Sequence, residues 1–200
     1  METIVPEWEY CWIDLETTGL NAHAEVPLEI GLKLTDEWGE GGPSKTWLIN
    51  ENTDYYRTRI AAGKEHEVVG PMHLKSGLWE DLSGMQSTRQ HIDDAAYRWL
   101  VGEGVEPNIL PLCGNSVGSL DRPFLLVHFP ILNEFLHYRN IDISSFKEVC
   151  RRVNPELFSK LRDIADNKES AIHRPLADID ASITEYQGYV ENFFFTSLGD

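Results

Sequence analysis

Three strand-like runs fall between residues 8 and 49, and the rest of the chain alternates between helical and strand periodicity. That order leaves few architectures open. Trp8-Glu9-Tyr10-Cys11-Trp12-Ile13-Asp14 is rich in aromatic residues and other β-formers. Leu28 to Thr35 alternates apolar with other residues, as a half-buried strand does. The acidic, glycine-rich stretch 36–43 reads as a turn, and Lys45-Thr46-Trp47-Leu48-Ile49 as a third strand. Short links make these three an antiparallel meander. Gln90 to Val101 carries Ile92, Ala95, Ala96, Trp99 and Leu100 as a helical stripe, which Gly102 and Gly104 would stop. Ile109 to Cys113 is a short apolar strand, although Pro111 would remove one ladder donor. Leu120 to Phe129 reads as a helix capped by Ser119 or Asp121, with Pro123 in its first turn. Ile131 to Leu136 is a second short helix and Tyr138 to Ile143 a fifth strand. Ser144 or Ser145 would then cap a helix running through Arg152, and the last helix starts near Pro175 and runs through Tyr189. Residues 51–86 lack clean periodicity and read as short helices and loops. The order βββαβα…βαα predicts an α/β fold with a mixed five-stranded sheet flanked by helices, formed as one domain over 1–200.

Composition excludes several classes. No apolar run is long enough to span a bilayer, and the N-terminus lacks the basic and apolar regions of a signal peptide. The chain reads as cytoplasmic, with no membrane partner. Cys11, Cys113 and Cys150 are too few and too scattered for a disulfide framework, and none forms a CxxC pair. Cys11 and Cys113 read as small core residues. The net charge of −16 works against any broad grip on long duplex nucleic acid, which needs a basic face to neutralise many phosphates. A nucleic-acid substrate would have to be short, held by few contacts and by metal ions.

The chemistry concentrates in widely separated carboxylates and one histidine. Asp14 and Glu16 are two apart, so on a strand they share a face. Two such carboxylates repel unless a cation lies between them, and hard oxygen ligands suit Mg²⁺ or Mn²⁺. Taken alone, Asp14-Leu15-Glu16 also reads as the start of a turn at Thr17-Thr18-Gly19, and Asp121 as a helix cap. In His173-Arg174-Pro175-Leu176-Ala177-Asp178, Pro175 fits the first helical position. His173 then lies in the loop before the helix, and Asp178 about one turn inside it. A neutral imidazole there can serve as base for a metal-polarised water, or be an ordinary loop histidine satisfied by backbone.

At these residues the chain resembles the oligoribonucleases, in the histidine-bearing branch of the Asp-Glu-Asp-Asp 3′→5′ exonucleases. The first block is Trp12-Ile13-Asp14-Leu15-Glu16-Thr17-Thr18-Gly19-Leu20. Then come Met72-His73-Leu74-Lys75-Ser76-Gly77-Leu78, and Leu112-Cys113-Gly114-Asn115-Ser116-Val117-Gly118 with Asp121-Arg122 and Phe124-Leu125. Phe135-Leu136-His137-Tyr138-Arg139 follows, with Asp142-Ile143-Ser144-Ser145, Lys147-Glu148 and Arg151-Arg152. The last block is His173 to Ile179. The carboxylates are common to many exonucleases, whereas the Cys-Gly-Asn-Ser, His-Tyr-Arg and His-x-x-Ser-Gly-Leu blocks are specific to this family.

The resemblance implies an RNase H-like fold, a homodimer and two divalent ions, Mg²⁺ or Mn²⁺. It implies Asp14, Glu16, Asp121 and Asp178 as metal ligands and His173 as general base. A leucine matching Leu20 would wedge against the bases. Residues matching Ser116, Arg139 and Ser144 would cap a 5′ phosphate, and those matching His73 and Tyr138 would also touch substrate, the tyrosine from the partner subunit. The implied partner is short single-stranded RNA, dinucleotides above all, and the implied products are nucleoside 5′-monophosphates. The chain departs from many relatives at Pro175 (alanine there), at Ala177 (a second acid) and at Val68 (a tryptophan), and it matches weakly over 51–71 and 154–172. A general exonuclease acting on longer DNA or RNA ends is the alternative among enzymes. A non-catalytic dimeric nucleotide-binding module is the alternative outside them.

Overall fold

The computed structural model describes residues 8–51, 69–83, 87–167 and 173–193. β1 (Tyr10–Thr17), β2 (Pro27–Thr35) and β3 (Ser44–Leu48) form the antiparallel part of the sheet. Helices α1 (Val69–Lys75), α2 (Leu78–Asp81) and α3 (Arg89–Gly102) follow. Then come β4 (Leu112–Gly114), α4 (Asp121–His128), α5 (Pro130–Phe135) and β5 (Asn140–Asp142). The last three elements are α6 (Ile143–Val153), α7 (Pro155–Asn167) and α8 (Pro175–Phe193). The sheet order is β3-β2-β1-β4-β5, with β4 parallel to both β1 and β5. The expected mixed five-stranded sheet is therefore present. Val68 and residues 52–67, where the family match is poor, lie outside the described residues.

Alternation along β1 divides the core. Cys11, Ile13 and Leu15 pack on one face with Ile92, Ala96 and Leu100 of α3, Phe124 of α4 and Leu132 of α5. Trp12 points the other way, into a cluster with Ile143 and Cys150 of α6 and Ile179, Ile183, Tyr186 and Tyr189 of α8. Its ring meets Tyr186 edge-on at 5.5 Å, and its indole N–H donates to Thr35 Oγ1 at 2.9 Å. Because Tyr186 sits over Trp12, the start of α8 lies over the far end of β1.

The 36–43 turn has three glycines at positive φ. A side chain at Gly42 would strike the Leu34 carbonyl oxygen, so only glycine closes this turn. Among the described residues no helix is long and apolar enough to cross a membrane.

Several local expectations shift. β1 continues through Thr17, three residues past Asp14, so both acids lie within the strand rather than in a turn. Pro111 precedes β4 and removes no ladder donor; its carbonyl accepts from Cys11 N–H at 3.2 Å. Neither Ser119 nor Asp121 caps α4, which has no side-chain cap and begins at Asp121 itself. α6 is capped by Asp142, not by Ser144 or Ser145. It starts at Ile143, and the Asp142 carboxylate accepts from Ser144 N–H.

Candidate active site

The parallel strands β1, β4 and β5 end on the same side of the sheet, and the candidate residues gather there, as sites in α/β folds commonly do. Asp14 and Glu16 share the β1 face that Trp12 occupies, beneath α8. That helix brings Asp178 down beside them. One carboxylate oxygen from each of Asp14, Glu16 and Asp178 lies within 4.8 Å of the others.

Two sequence features allow that approach. Pro175 opens α8, and Arg174 C=O accepts the first helical N–H bonds, from Ala177 and Asp178. Gly31, which pairs with Asp14 in the ladder, has no side chain; a Cβ there would come 2.5 Å from Pro175 Cβ. Ala177 is exposed while Asp178 is half-buried, so the five-residue step from His173 selects the acid that faces the cluster.

Asp121 enters from the first turn of α4 and is 2 % exposed. Its carboxylate is approached by the N–H groups of Leu15 and of Asp121 itself. Among the described residues, none hydrogen-bonds its buried Oδ1. Burial, followed by the Asp14 charge, raises its pKa well above the usual carboxylate range. Asp14 is raised well above it too, by burial and then by Asp178, Glu16 and Glu29. Burial, then Asp178 and Glu29, push Glu16 up to about 8, against the opposing effect of His173 and Arg174. Asp178 is raised by burial, and His173 opposes the shift. Four carboxyls that resist joint ionisation, one with an orphaned oxygen, form a donor set that divalent cations fit.

His173 stands in the loop before α8 at φ 47°, a left-handed conformation uncommon for a side-chain-bearing residue. The next residue pins that loop. Arg174 grips the Glu29 carboxylate with Nε at 2.7 Å and Nη2 at 3.1 Å, and reaches Asp81 with Nη1 at 2.5 Å. Glu29 is a fifth carboxylate, buried on β2 and paired with Glu16 in register. Sequence reading missed this pair. Its one signal is an acid flanked by Leu28 and Ile30 inside an apolar strand.

The remaining candidates separate into four places. Leu20, just past β1, is 64 % exposed. His73 is wholly buried on α1, and its Nε2 lies 3.0 Å from Glu16 Oε2, so its link to the site runs through that acid. Ser116, after β4, and Ser144, in the first turn of α6, bring their hydroxyls to 3.3 Å. Tyr138 and Arg139 lie on the segment entering β5, with the Arg139 guanidinium 5.5 Å from the Tyr138 ring centroid. Arg122, next to Asp121, secures that segment: Nη2 donates to His137 C=O at 2.8 Å, and Nε and Nη2 donate to Asn140 Oδ1 at 3.1 and 2.9 Å.

No protein-family model matches the chain. Curated relatives do. It is 37% identical over 191 residues to the oligoribonuclease of Streptomyces coelicolor, covering 94% of this chain and 88% of that one. With the oligoribonuclease of Mycobacterium ulcerans it shares 34% over 194 residues, 96% and 84% of the two chains. Among solved structures it resembles E. coli exonuclease I, in a zinc-bound complex with single-stranded DNA, with a TM-score of 0.65 at 15% identity. That match covers 91% of this chain and 40% of exonuclease I, so the chain spans about two fifths of that enzyme. The shared architecture is the RNase H-like exonuclease fold.

Proposed function

The chain belongs to the oligoribonuclease family of 3′→5′ exoribonucleases, and on that premise we propose that it hydrolyses very short RNA, diribonucleotides above all, to nucleoside 5′-monophosphates. The observation that carries this reading is the convergence of Asp14, Glu16 and Asp178, from two distant parts of the chain, with buried Asp121 behind Leu15 and His173 at the rim.

In this reading Asp14, Glu16, Asp121 and Asp178 hold two divalent ions, Mg²⁺ or Mn²⁺. Such ions polarise an attacking water and stabilise charge on the leaving oxygen. A ring nitrogen of His173 takes the proton from that water as it attacks the terminal phosphodiester. The bond to the 3′ oxygen of the preceding nucleotide breaks, that oxygen takes up a proton from solvent to become a hydroxyl, and a nucleoside 5′-monophosphate leaves. Leu20 offers its exposed side chain to the bases. Ser116, Ser144 and Arg139 line the site of the 5′ phosphate, where a guanidinium can bind it bidentately. Among the described residues no carboxylate pairs with Arg139. A substrate with few phosphates is compatible with a net charge of −16, because a few cations suffice. Tyr138, 75 % exposed, is suited to reach a second copy's site, so the working form in this reading is a homodimer in the cytoplasm.

Purified protein with Mg²⁺ and a 5′-phosphorylated diribonucleotide tests the chemistry. Mononucleotides are the expected product, and Asp14→Asn should lower turnover about 1,000-fold or more, the scale of losing a metal-activating ligand. Equal residual activity in wild type and variant would leave only a binding module.

A further inference from the structure

The two serines do not stand by themselves. The Asp142 carboxylate lies between the turn after β4 and the start of α6, and it gathers donors from both. Oδ1 accepts Ser116 N–H at 3.0 Å, Ser144 N–H at 3.1 Å and Ser144 Oγ–H at 2.5 Å. Oδ2 accepts Gly118 N–H at 3.1 Å. A helix cap needs only the Ser144 N–H bond. The bonds to Ser116 and Gly118 cross to another segment, 26 and 24 residues away in sequence, and Ser116 is held at φ 58°.

The hydroxyl protons can be assigned one by one. Ser144 has a single O–H, and it is directed at Asp142. Its oxygen is then an acceptor, and it receives Ser116 N–H at 3.0 Å and Ser116 Oγ–H at 3.3 Å. Of the two hydroxyl hydrogens, only that of Ser116 can turn outward to an incoming anion. Asp142 would by itself repel a phosphate, but four donors already occupy its oxygens.

From this geometry we propose that Asp142 is the positioning residue of the 5′-phosphate grip: it fixes Ser144 as an acceptor, which leaves Ser116 Oγ–H, resting on Ser144 Oγ at 3.3 Å, as the one hydroxyl of the pair that can turn to the phosphate. The inference rests on the reading above that this cluster receives a 5′ phosphate. It differs from that reading in giving Asp142 a role and in removing Ser144 from direct donation.

The test compares a 5′-phosphorylated diribonucleotide with the same dinucleotide bearing a 5′ hydroxyl, in the full-length protein with Mg²⁺. The readout is the ratio of the two kcat/KM values, which a general loss of folded enzyme leaves untouched. Asp142→Ser keeps an α6 cap, because serine is a good N-cap, but is too short to span to Ser116 and Gly118. It should reduce the ratio about tenfold, chiefly through KM for the phosphorylated substrate, the scale of one misaligned charge-assisted contact. Asp142→Asn retains the oxygen that accepts from Ser116 and Ser144 but sets an amide N–H against Gly118 N–H, so its ratio should fall less than that of Asp142→Ser. A wild-type ratio in Asp142→Ser, or equal losses on both substrates, would overturn the proposal. A wild-type protein with no preference for the phosphorylated dinucleotide would instead overturn the phosphate grip itself, and the role of Asp142 with it.

Discussion

Single residues set the ionisation of this site. The unfolded chain gives up its Asp and Glu protons near their ordinary values of 3.8 and 4.5, whereas the folded, metal-free site retains protons up to about pH 8 at Glu16. The native state therefore binds more protons than the unfolded state between those limits, and stability must fall as pH rises through that window. Below it the groups are protonated in both states and the penalty is absent. A divalent ion that replaces the protons should reverse the trend. Thermal melts of metal-free protein from pH 5 to 8 should show a falling Tm, and Mg²⁺ or Mn²⁺ should raise Tm most at the alkaline end. A metal-free Tm that rises across this range would contradict the assigned shifts. Asp14 and Glu16 were legible in sequence because a two-residue step on a strand fixes a shared face. Asp121 was legible only through the family resemblance: alone it read as a cap, and its actual neighbour, Leu15, lies far off in sequence. The Glu29–Arg174 pair was unreadable for the same reason: an acid inside an apolar strand hints at a buried partner, but nothing local names one 145 residues away.

Elements decide whether those residues meet. α8 delivers Asp178 only because β2 gives way at Gly31, opposite Asp14. Gly31→Ala would force a Cβ against Pro175, so it should destabilise the fold by about 1–3 kcal/mol, the usual range for overpacking. It should also depress kcat by displacing Asp178 and the His173 loop. Denaturant midpoints and steady-state rates measure both effects; wild-type values in each would show that the helix start is not seated as described. Element types were largely readable, from the alternation in β2 to the Pro175 helix start. Boundaries were less so. β1 ran on through Glu16 because its ladder with β2 continues, and α6 began earlier because Asp142 outcompeted the serines as cap. The joining of β4, β5 and α6 into one cluster through Asp142 depends on parallel pairing of β4 and β5, which no periodicity in either strand encodes.

At the scale of the whole molecule, fold and charge bear on what can be cleaved. A net charge of −16 works against a broad basic surface, and among the described residues the candidate phosphate contacts are Ser116, Arg139 and the Asp142 cluster. A closed grip on the 5′ phosphate limits length more sharply than a groove would, because a longer strand must place a nucleotide where the grip stands. The direct measurement is a series of 5′-phosphorylated RNAs, from two nucleotides upward, cleaved under single-turnover conditions with Mg²⁺. The dinucleotide should be cleaved fastest, with the rate dropping about tenfold or more by the tetranucleotide, as expected when one grip contact is lost. Equal rates from two nucleotides to long strands would contradict the short-substrate assignment and indicate a general exonuclease.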